Sequence, residues 1–177
     1  MRDEKALESA LEGVDIVFHE AAYGGFAPEI AKMTDVNALG TAKMLEIIRN
    51  KKLNIKKIVT ASSQAVYGEG KYSCEEHGIE HPSLRPVVQL GRGEWEVKCS
   101  ICSKPMKALP VDEAMEVNVT GVYSISKYFQ ERLTLNFYKE TNIPTVALRY
   151  SLTYGPRQSI FNPYSGISIV HLDFTKY

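Results

Sequence analysis

Short apolar runs rich in β-branched residues alternate in this sequence with longer segments of helical periodicity. The apolar runs are residues 14–21, 55–62 and 144–150, and apolar side chains recur at helical spacing in residues 3–12, 29–50 and 119–141. Successive strands joined through a helix pair in parallel, because the helix returns the chain to the same end of the sheet. The sequence therefore predicts an α/β fold in which helices cover a parallel sheet.

The alternation stops between about residues 70 and 115, where prolines, glycines and all three cysteines are found. This segment contains two ligand pairs, Cys74-x-x-His77 and Cys99-x-x-Cys102. The x-x spacing lets two side chains bind one ion, and three cysteines with one histidine suit tetrahedral zinc. We predict a zinc-ribbon-like insertion with a structural ion, in which His81 is an alternative to His77. The other interpretation is three unlinked thiols and an exposed histidine.

Charge and hydropathy exclude several classes of protein. Lys+Arg 21 against Asp+Glu 21 gives a formal net charge of zero, so nothing in the charge favours nucleic acid or an anionic membrane as partner. The sequence also contains no apolar run of membrane-spanning length and no signal peptide. We expect a cytoplasmic protein whose thiols stay reduced, and a homo-oligomer is possible.

Residues that follow the predicted strands are the first candidates for function, because parallel sheets bind ligands beyond the carboxyl ends of their strands. Those segments read HEAAYGG, TASSQAVYG and RYSLTYGPR. Small residues such as Ala21, Ala22 and Gly24 let a ligand approach the backbone, and Ser62 and Ser63 supply hydroxyls. The alternative interpretation is close packing of helix on strand and a serine-capped turn.

Tyr123 and Lys127 are four residues apart near the start of the last predicted helix. Their side chains share one helix face, and an ammonium beside a phenol favours the phenolate, which can accept a proton. Tyr67 and Lys71 have the same spacing, but Gly68 and Gly70 lie between them and disfavour a helix.

Five ordered motifs carry a resemblance to a known family. They are VDIVFHEAA, the N-x-x-G-T of Asn37–Thr41, SSQAVYG, YSISK and ALRYSLTYGPRQ. Over about residues 1–167 the sequence resembles the extended short-chain dehydrogenases/reductases, and more narrowly the NAD-dependent nucleotide-sugar epimerase/dehydratase family. The resemblance implies a Rossmann-like sheet, NAD as cofactor and a nucleotide sugar as substrate.

The resemblance also implies roles for single residues. Tyr123 is the expected catalytic base, Lys127 binds the nicotinamide ribose, and Ser63 hydrogen-bonds the reacting sugar hydroxyl. The residues expected to line the cofactor are Glu20, Ala21, Ala22, Tyr23, Gly24, Asn37, Ser63, Tyr123, Lys127 and Ser151. Related dehydratases place an Asp-Glu pair after the catalytic hydroxyl residue, where this sequence has Gln64 and Ala65. The resemblance therefore favours C4 epimerisation through a 4-keto intermediate over dehydration.

The same comparison of motifs predicts a partial Rossmann-like fold. The family's glycine-rich turn after the first strand is not found, and the usual substrate-binding region does not follow SIFNPYSGI. We expect a first Rossmann-like part over 1–69, the zinc-binding insertion over 70–115 and a second Rossmann-like part over 116–177. We therefore expect the strand at 14–21 to have an exposed edge. We also expect the chain to bind NAD weakly and to have impaired activity. The competing hypothesis is a non-catalytic, zinc-organised interaction module.

Overall fold

A computed structural model describes residues 1–24, 29–153 and 155–157. Its main sheet contains the parallel strands β1 (Ile16–His19), β2 (Lys57–Ala61) and β6 (Thr145–Leu148), in the order β1-β2-β6. The predicted parallel sheet is confirmed. Gly25, Tyr154 and Gln158 of the motifs above, and the predicted second part from 158 onward, lie outside the described residues.

The helices are α1 (Glu4–Leu11), α2 (Ile30–Met33), α3 (Gly40–Asn50), α4 (Val87–Gly91) and α5 (Val122–Thr141). The three predicted helical segments are present, and one short helix, α4, lies in the segment where the sequence showed no periodicity. Asp3 caps the start of α1, and its side chain accepts a hydrogen bond from the N–H of Ala6. After the helix the backbone turns at Gly13, which has φ +70°. α5 ends at Asn142 in the left-handed conformation.

The predicted helix over 29–50 is one helical run with an inner change of pitch. α2 continues into a π-helical segment, Thr34–Leu39, and then into α3. Asn37 and Ala38 of the wide turn are buried, and π segments recur at functional sites. The π segment aims Asn37 toward the start of α5, where its amide bonds Ser126.

The core lies between β2, α3, α5 and α1. Ile58 and Ile48 are almost completely buried within it. The buried cluster is Leu11, Met44, Leu45, Ile47, Ile48, Ile55, Ile58 and Phe137. β1, in contrast, pairs only with β2 among the described strands, and its Phe18 side chain is 67% exposed. The predicted exposed edge is therefore present.

A second sheet forms within residues 71–109, where the sequence showed no periodicity. It consists of β3 (Lys71–Cys74), β4 (Gly78–Glu80) and β5 (Lys107–Leu109), antiparallel in the order β4-β3-β5. Each strand is three or four residues long, too short for a period to be read from the sequence. Val97 and Met106 pack with Cys74 and Cys99 in a small separate core.

Among the described residues, no helix is both long and apolar enough to cross a membrane.

Candidate active site and metal centre

The loops after the three parallel strands meet at one edge of the sheet, as their register requires. Ser62 N–H donates to Leu148 O (2.8 Å), and Gln64 N–H donates to Tyr150 O (2.8 Å). The Ser151 hydroxyl donates to the Gln64 side-chain oxygen (2.7 Å). The second and third loops are therefore fixed to each other directly beyond the strands.

Tyr123 and Ser63 line one cleft of about 940 Å³ at this edge. Tyr123 lies in the first turn of α5, which packs on β2, β6 and the 3-10 turn Gln64–Tyr67. Ser63 caps that turn, and its hydroxyl accepts a hydrogen bond from Ala65 N–H (3.2 Å). Ser151 lines the same cleft. Ser63, Tyr123 and Ser151, far apart in sequence, thus line one cavity. The other predicted site residues, Lys127, Asn37 and Glu20 to Gly24, are not among its lining residues.

Lys127 lies one helical turn after Tyr123 and its side chain is 2% exposed. Among the described residues, no atom accepts a hydrogen bond from its ammonium. Burial lowers the pKa of Lys127 to about 8, although the Glu20 carboxylate opposes this shift. Because no acceptor is present among the described residues, the Lys127 ammonium is available to donate to a polar ligand.

Asn37 fixes the first of the three loops. Its Oδ1 accepts from Tyr23 N–H (2.6 Å), and its Nδ2 donates to Tyr23 O (3.0 Å) and to Ser126 Oγ (2.9 Å). The neighbouring Gly24 lies so close to the active-site helix that an added Cβ would stand 3.8 Å from the Tyr123 ring. Asn37 therefore joins the loop to α5, Gly24 lies near Tyr123, and the charge of Glu20 acts on Lys127.

A buried ion pair that the sequence analysis missed lies in the wall of the cleft. Arg149 donates twice to Glu131, from Nη2 to Oε1 (2.7 Å) and from Nε to Oε2 (3.0 Å), and once to Tyr67 OH (2.8 Å). Ser62 Oγ donates to Glu131 Oε2 (2.7 Å). Burial opposes ionisation of Glu131, but the hydrogen bonds from Arg149 and Ser62 outweigh it and lower its pKa. The network links α5, β6 and both ends of the turn that begins at Ser63.

The signal for Glu131 was present in the sequence as a helical spacing. Tyr123, Lys127 and Glu131 follow one another at four-residue intervals and share a helix face. The spacing identifies the face, but the partner Arg149 is on another element and could be found only from the fold.

His19 belongs to a second buried network behind the strand ends. Its Nε2 lies 2.7 Å from Thr41 Oγ1 and 3.0 Å from Gln130 Nε2, and the Gln130 amide also donates to Thr41 Oγ1 (2.9 Å). Burial, followed by the charge of Lys127, lowers the pKa of His19 to about 4. His19 is therefore neutral at physiological pH.

The four predicted metal ligands come together in the second sheet. The ligand atoms of Cys74, His77, Cys99 and Cys102 all lie within 4.8 Å of one another, and His81 is not in the group. Cys74 Sγ is 3.7 Å from Cys102 Sγ and 3.6 Å from His77 Nδ1, which is 3.5 Å from Cys99 Sγ. Tetrahedral zinc with ordinary bond lengths requires about 3.8 Å between sulfurs and about 3.6 Å between sulfur and nitrogen. The group fits a zinc ion.

Both ligand pairs lie on turns of one kind. The residue directly after each pair has positive φ: Gly78 at +78° and Ser103 at +60°. In the second turn, Cys99 N–H donates to Lys104 O (2.9 Å) and Ser103 N–H donates to Cys99 O (3.0 Å), while Ile101 N–H contacts Cys99 Sγ (3.4 Å). Such turns hold the paired side chains on one side of the backbone.

The thiols differ in how readily they ionise. The backbone N–H of Glu76, and then the ring of His77, lower the pKa of Cys74 to about 6. Burial, and then the Glu80 carboxylate, raise the pKa of Cys99 to about 11. Metal binding must therefore displace a proton from Cys99, which makes affinity depend on pH.

The fold and the cleft define a class: an α/β protein of the NAD-binding, Rossmann-like type. Residues 3–175 match the NAD-binding family described as "Male sterility protein". The chain belongs to the NAD-dependent nucleotide-sugar epimerase/dehydratase family, as the motifs predicted.

Relatives of this family show which enzymes the chain is similar to. The dTDP-L-rhamnose 4-epimerase of Burkholderia thailandensis is 30% identical over 156 residues, which are 86% of this chain and 42% of that protein. The dTDP-D-glucose 4,6-dehydratase of Dictyostelium discoideum is 31% identical over 162 residues, 88% of this chain and 31% of that protein. The chain thus spans less than half the length of these relatives.

A solved structure shows the same fold. The UDP-glucuronic acid 4-epimerase of Bacillus cereus, in complex with UDP-glucuronic acid and NAD, matches with a TM-score of 0.61 and 24% sequence identity. The match covers 90% of this chain and 40% of that chain.

Proposed function

We propose that this chain carries the catalytic residues of an NAD-dependent nucleotide-sugar epimerase, which inverts C4 by transient oxidation. The observation that carries the proposal is the cleft shared by Ser63 and Tyr123, with Lys127, a largely buried residue, one helical turn after Tyr123. This set can move a proton and hold a hydroxyl, which the reaction requires.

The residues around Lys127 fit a dinucleotide. Lys127 is 2% exposed as a residue and its ammonium has no acceptor among the described residues, so a ribose hydroxyl is a suitable acceptor. Glu20 to Gly24 and Ser151 would hold the cofactor, and Asn37 would position the first of these loops. NAD, when bound, supplies a reversible hydride acceptor.

Tyr123 is the proposed base. Its phenolate accepts the proton of the sugar C4 hydroxyl, while Ser63 Oγ hydrogen-bonds the same hydroxyl and orients it. Reduction of the 4-keto sugar from its opposite face inverts C4 and gives an alkoxide. Tyr123 then returns the proton to this alkoxide, which regenerates the phenolate.

Epimerisation is favoured over dehydration by the residues after Ser63. Dehydration also needs an acid and a base beside the neighbouring sugar carbons, and Gln64 and Ala65 supply neither. The Gln64 side-chain oxygen is already bonded to the Ser151 hydroxyl.

The test is C4 inversion by the purified chain with NAD and UDP- or dTDP-hexoses, followed by proton NMR of the sugar. Tyr123→Phe is expected to lower the rate by about 100-fold or more. Tyr138→Phe, on the exposed face of the same helix, is the matched control and keeps the rate. Inversion that survives Tyr123→Phe, or its absence in the unmodified chain with every sugar tested, contradicts the proposal.

We propose further that residues 70–115 form an insertion organised by structural zinc, between Rossmann-like parts at 1–69 and 116–177. Four protein ligands leave the ion no open position, and thiolate ligands suit the reducing cytoplasm. Metal analysis is expected to find one zinc per chain. His77→Asn is expected to lose the ion, whereas His81→Asn, its matched control, keeps it. Equal zinc content in both variants contradicts His77 as the ligand.

A second candidate function, a non-catalytic interaction module, is favoured by exposed apolar side chains on the insertion. Val87, Ile101 and Trp95 are 84%, 68% and 64% exposed. A module of this kind would bind a partner, or a second copy of the chain, with Tyr123→Phe having no effect. The epimerisation assay separates the two functions.

A further inference from the structure

The insertion joins the α/β unit through a narrow stem of two antiparallel chain segments, which we define as residues 66–71 and 109–118. At its base, Asn118 N–H donates to Val66 O (2.9 Å). Gly68 has φ +64°, and an added Cβ would stand 2.6 Å from Asn118 O, so the two segments touch there. At its far end Lys71 pairs with Leu109. The stem is therefore paired at both ends.

The middle of the stem lines the candidate active-site cleft. Its lining residues are Gly68, Glu69, Gly70, Val111, Asp112 and Glu113, in the same cavity as Ser63 and Tyr123. A Cβ added to Gly70 would stand 3.7 Å from Val111 Cγ2, so this wall is in van der Waals contact across the two segments. The cavity that Tyr123 lines is thus bounded on one side by the stem.

The stem gives this wall a negative charge. Glu69 is neutralised by Arg85, whose Nε lies 3.3 Å from Glu69 Oε1. Asp112 only accepts a hydrogen bond from Ala114 N–H (3.0 Å), and Glu113 has no ion-pair partner among the described residues. Arg149 is the one cation among the described lining residues.

The charge of Arg149 does not offset the stem. Glu131 accepts from the Nε and Nη2 of Arg149 in a bidentate pair, and Nη1 donates to Tyr67 OH, so the ion pair is neutral as a whole. Among the described residues, no cation therefore compensates the carboxylates of Asp112 and Glu113 at the cleft. They can accept hydrogen bonds from sugar hydroxyls or an amine, and they repel another carboxylate.

We propose that the stem is the sugar-selecting wall of the cleft, and that Asp112 and Glu113 select neutral or amino sugars against uronic acids. This inference rests on the proposed function, which supplies the nucleotide sugar. It adds a role for the insertion: its strands hold the two stem segments together, so the metal-bearing unit shapes the substrate pocket.

The test compares UDP-glucose with UDP-glucuronate, which differ only in a carboxylate at C6. Dissociation constants are measured by calorimetry with NAD present. The unmodified chain is expected to bind UDP-glucose about fivefold more tightly or better, and the double variant Asp112→Asn/Glu113→Gln is expected to bring the ratio near one. Glu116→Gln, an exposed carboxylate of the same segment outside the cleft, is the matched control and keeps the ratio.

Salt supplies an independent readout. The preference of the unmodified chain is expected to shrink between about 50 mM and 500 mM NaCl, whereas that of the double variant stays constant. If both proteins bind the sugar nucleotides with the same ratio of dissociation constants, the inference is overturned and the proposed function is left intact. Failure of both sugar nucleotides to bind contradicts the proposed function itself.

Discussion

Replacing Lys127 by methionine should stabilise the fold while removing cofactor binding. The Lys127 side chain is 2% exposed, and burial lowers its pKa from 10.5 to about 8. Between these two values the unfolded chain binds a proton that the native chain does not, so the stability of the unmodified protein rises with pH in this window. Below this window Lys127 is charged in both states, and the folded state is destabilised by the full free-energy cost of burying that charge.

The cost follows from the size of the shift. A difference of about 2.5 units corresponds to about 3 kcal/mol at pH 7, an upper estimate for what Lys127→Met regains. At pH 10 most of the unfolded chains are still charged but the native lysine is neutral, and the remaining cost is about 1 kcal/mol. The methionine side chain keeps the apolar contacts of the lysine stem.

The assay is urea unfolding of the unmodified chain and Lys127→Met at pH 7 and pH 10, with NAD affinity measured by calorimetry. Contributions from the metal site and other groups cancel in the difference between the two proteins. Lys139→Met, an exposed substitution on the same helix, is the control and is expected to change stability by less than about 0.5 kcal/mol. A Lys127→Met protein that is no more stable at pH 7 than the unmodified chain, or whose advantage does not shrink at pH 10, refutes the reasoning.

Three further predictions test the packing around the cleft. Burial lowers the pKa of His19 from 6.5 to about 4, so the free energy of unfolding of the unmodified chain is expected to fall by about 2 kcal/mol between pH 7.5 and pH 5. His19→Gln is expected not to show this loss when both proteins are unfolded in urea at the two pH values. Glu131→Gln leaves Arg149 partly buried with a weakened partner, and is expected to cost about 3 kcal/mol by the same measurement; a change below about 1 kcal/mol would show that the pair contributes little. Gly68→Ala is expected to lower the melting temperature more than Gly13→Ala does. Both glycines have positive φ, but only at Gly68 would the added Cβ meet backbone, 2.6 Å from a carbonyl oxygen. Equal decreases in melting temperature would contradict the close contact within the stem.

The parallel sheet could be predicted from the sequence because it rests on local patterns. Ile58 and Val59 of β2 are apolar and β-branched as a strand buried on both faces requires, and Met44, Leu45 and Ile48 of α3 recur at helical spacing. The grouping of Cys74, His77, Cys99 and Cys102 also follows from spacing; their binding of zinc stays a prediction.

The buried polar networks could not be predicted because each joins elements distant in the chain. Glu131 meets Arg149 only when α5 crosses β6, and His19 meets Gln130 across 111 positions. A charged residue on a helix face gives no indication of its partner until the crossing is known. The contribution of the stem to the cleft was missed for the same reason: the segments at 66–71 and 109–118 become neighbours only through the fold.

The single hydrogen bond between Val66 and Asn118 at the root of the stem has a consequence for engineering. Because the chain departs and returns at adjacent points, everything beyond them can be exchanged for a tight reverse turn without altering the spacing of the parallel strands. The segment that contains the four candidate metal ligands can therefore be exchanged as a unit. Transplanted between the corresponding points of a homologous enzyme, it is expected to transfer the proposed preference for sugars to that enzyme.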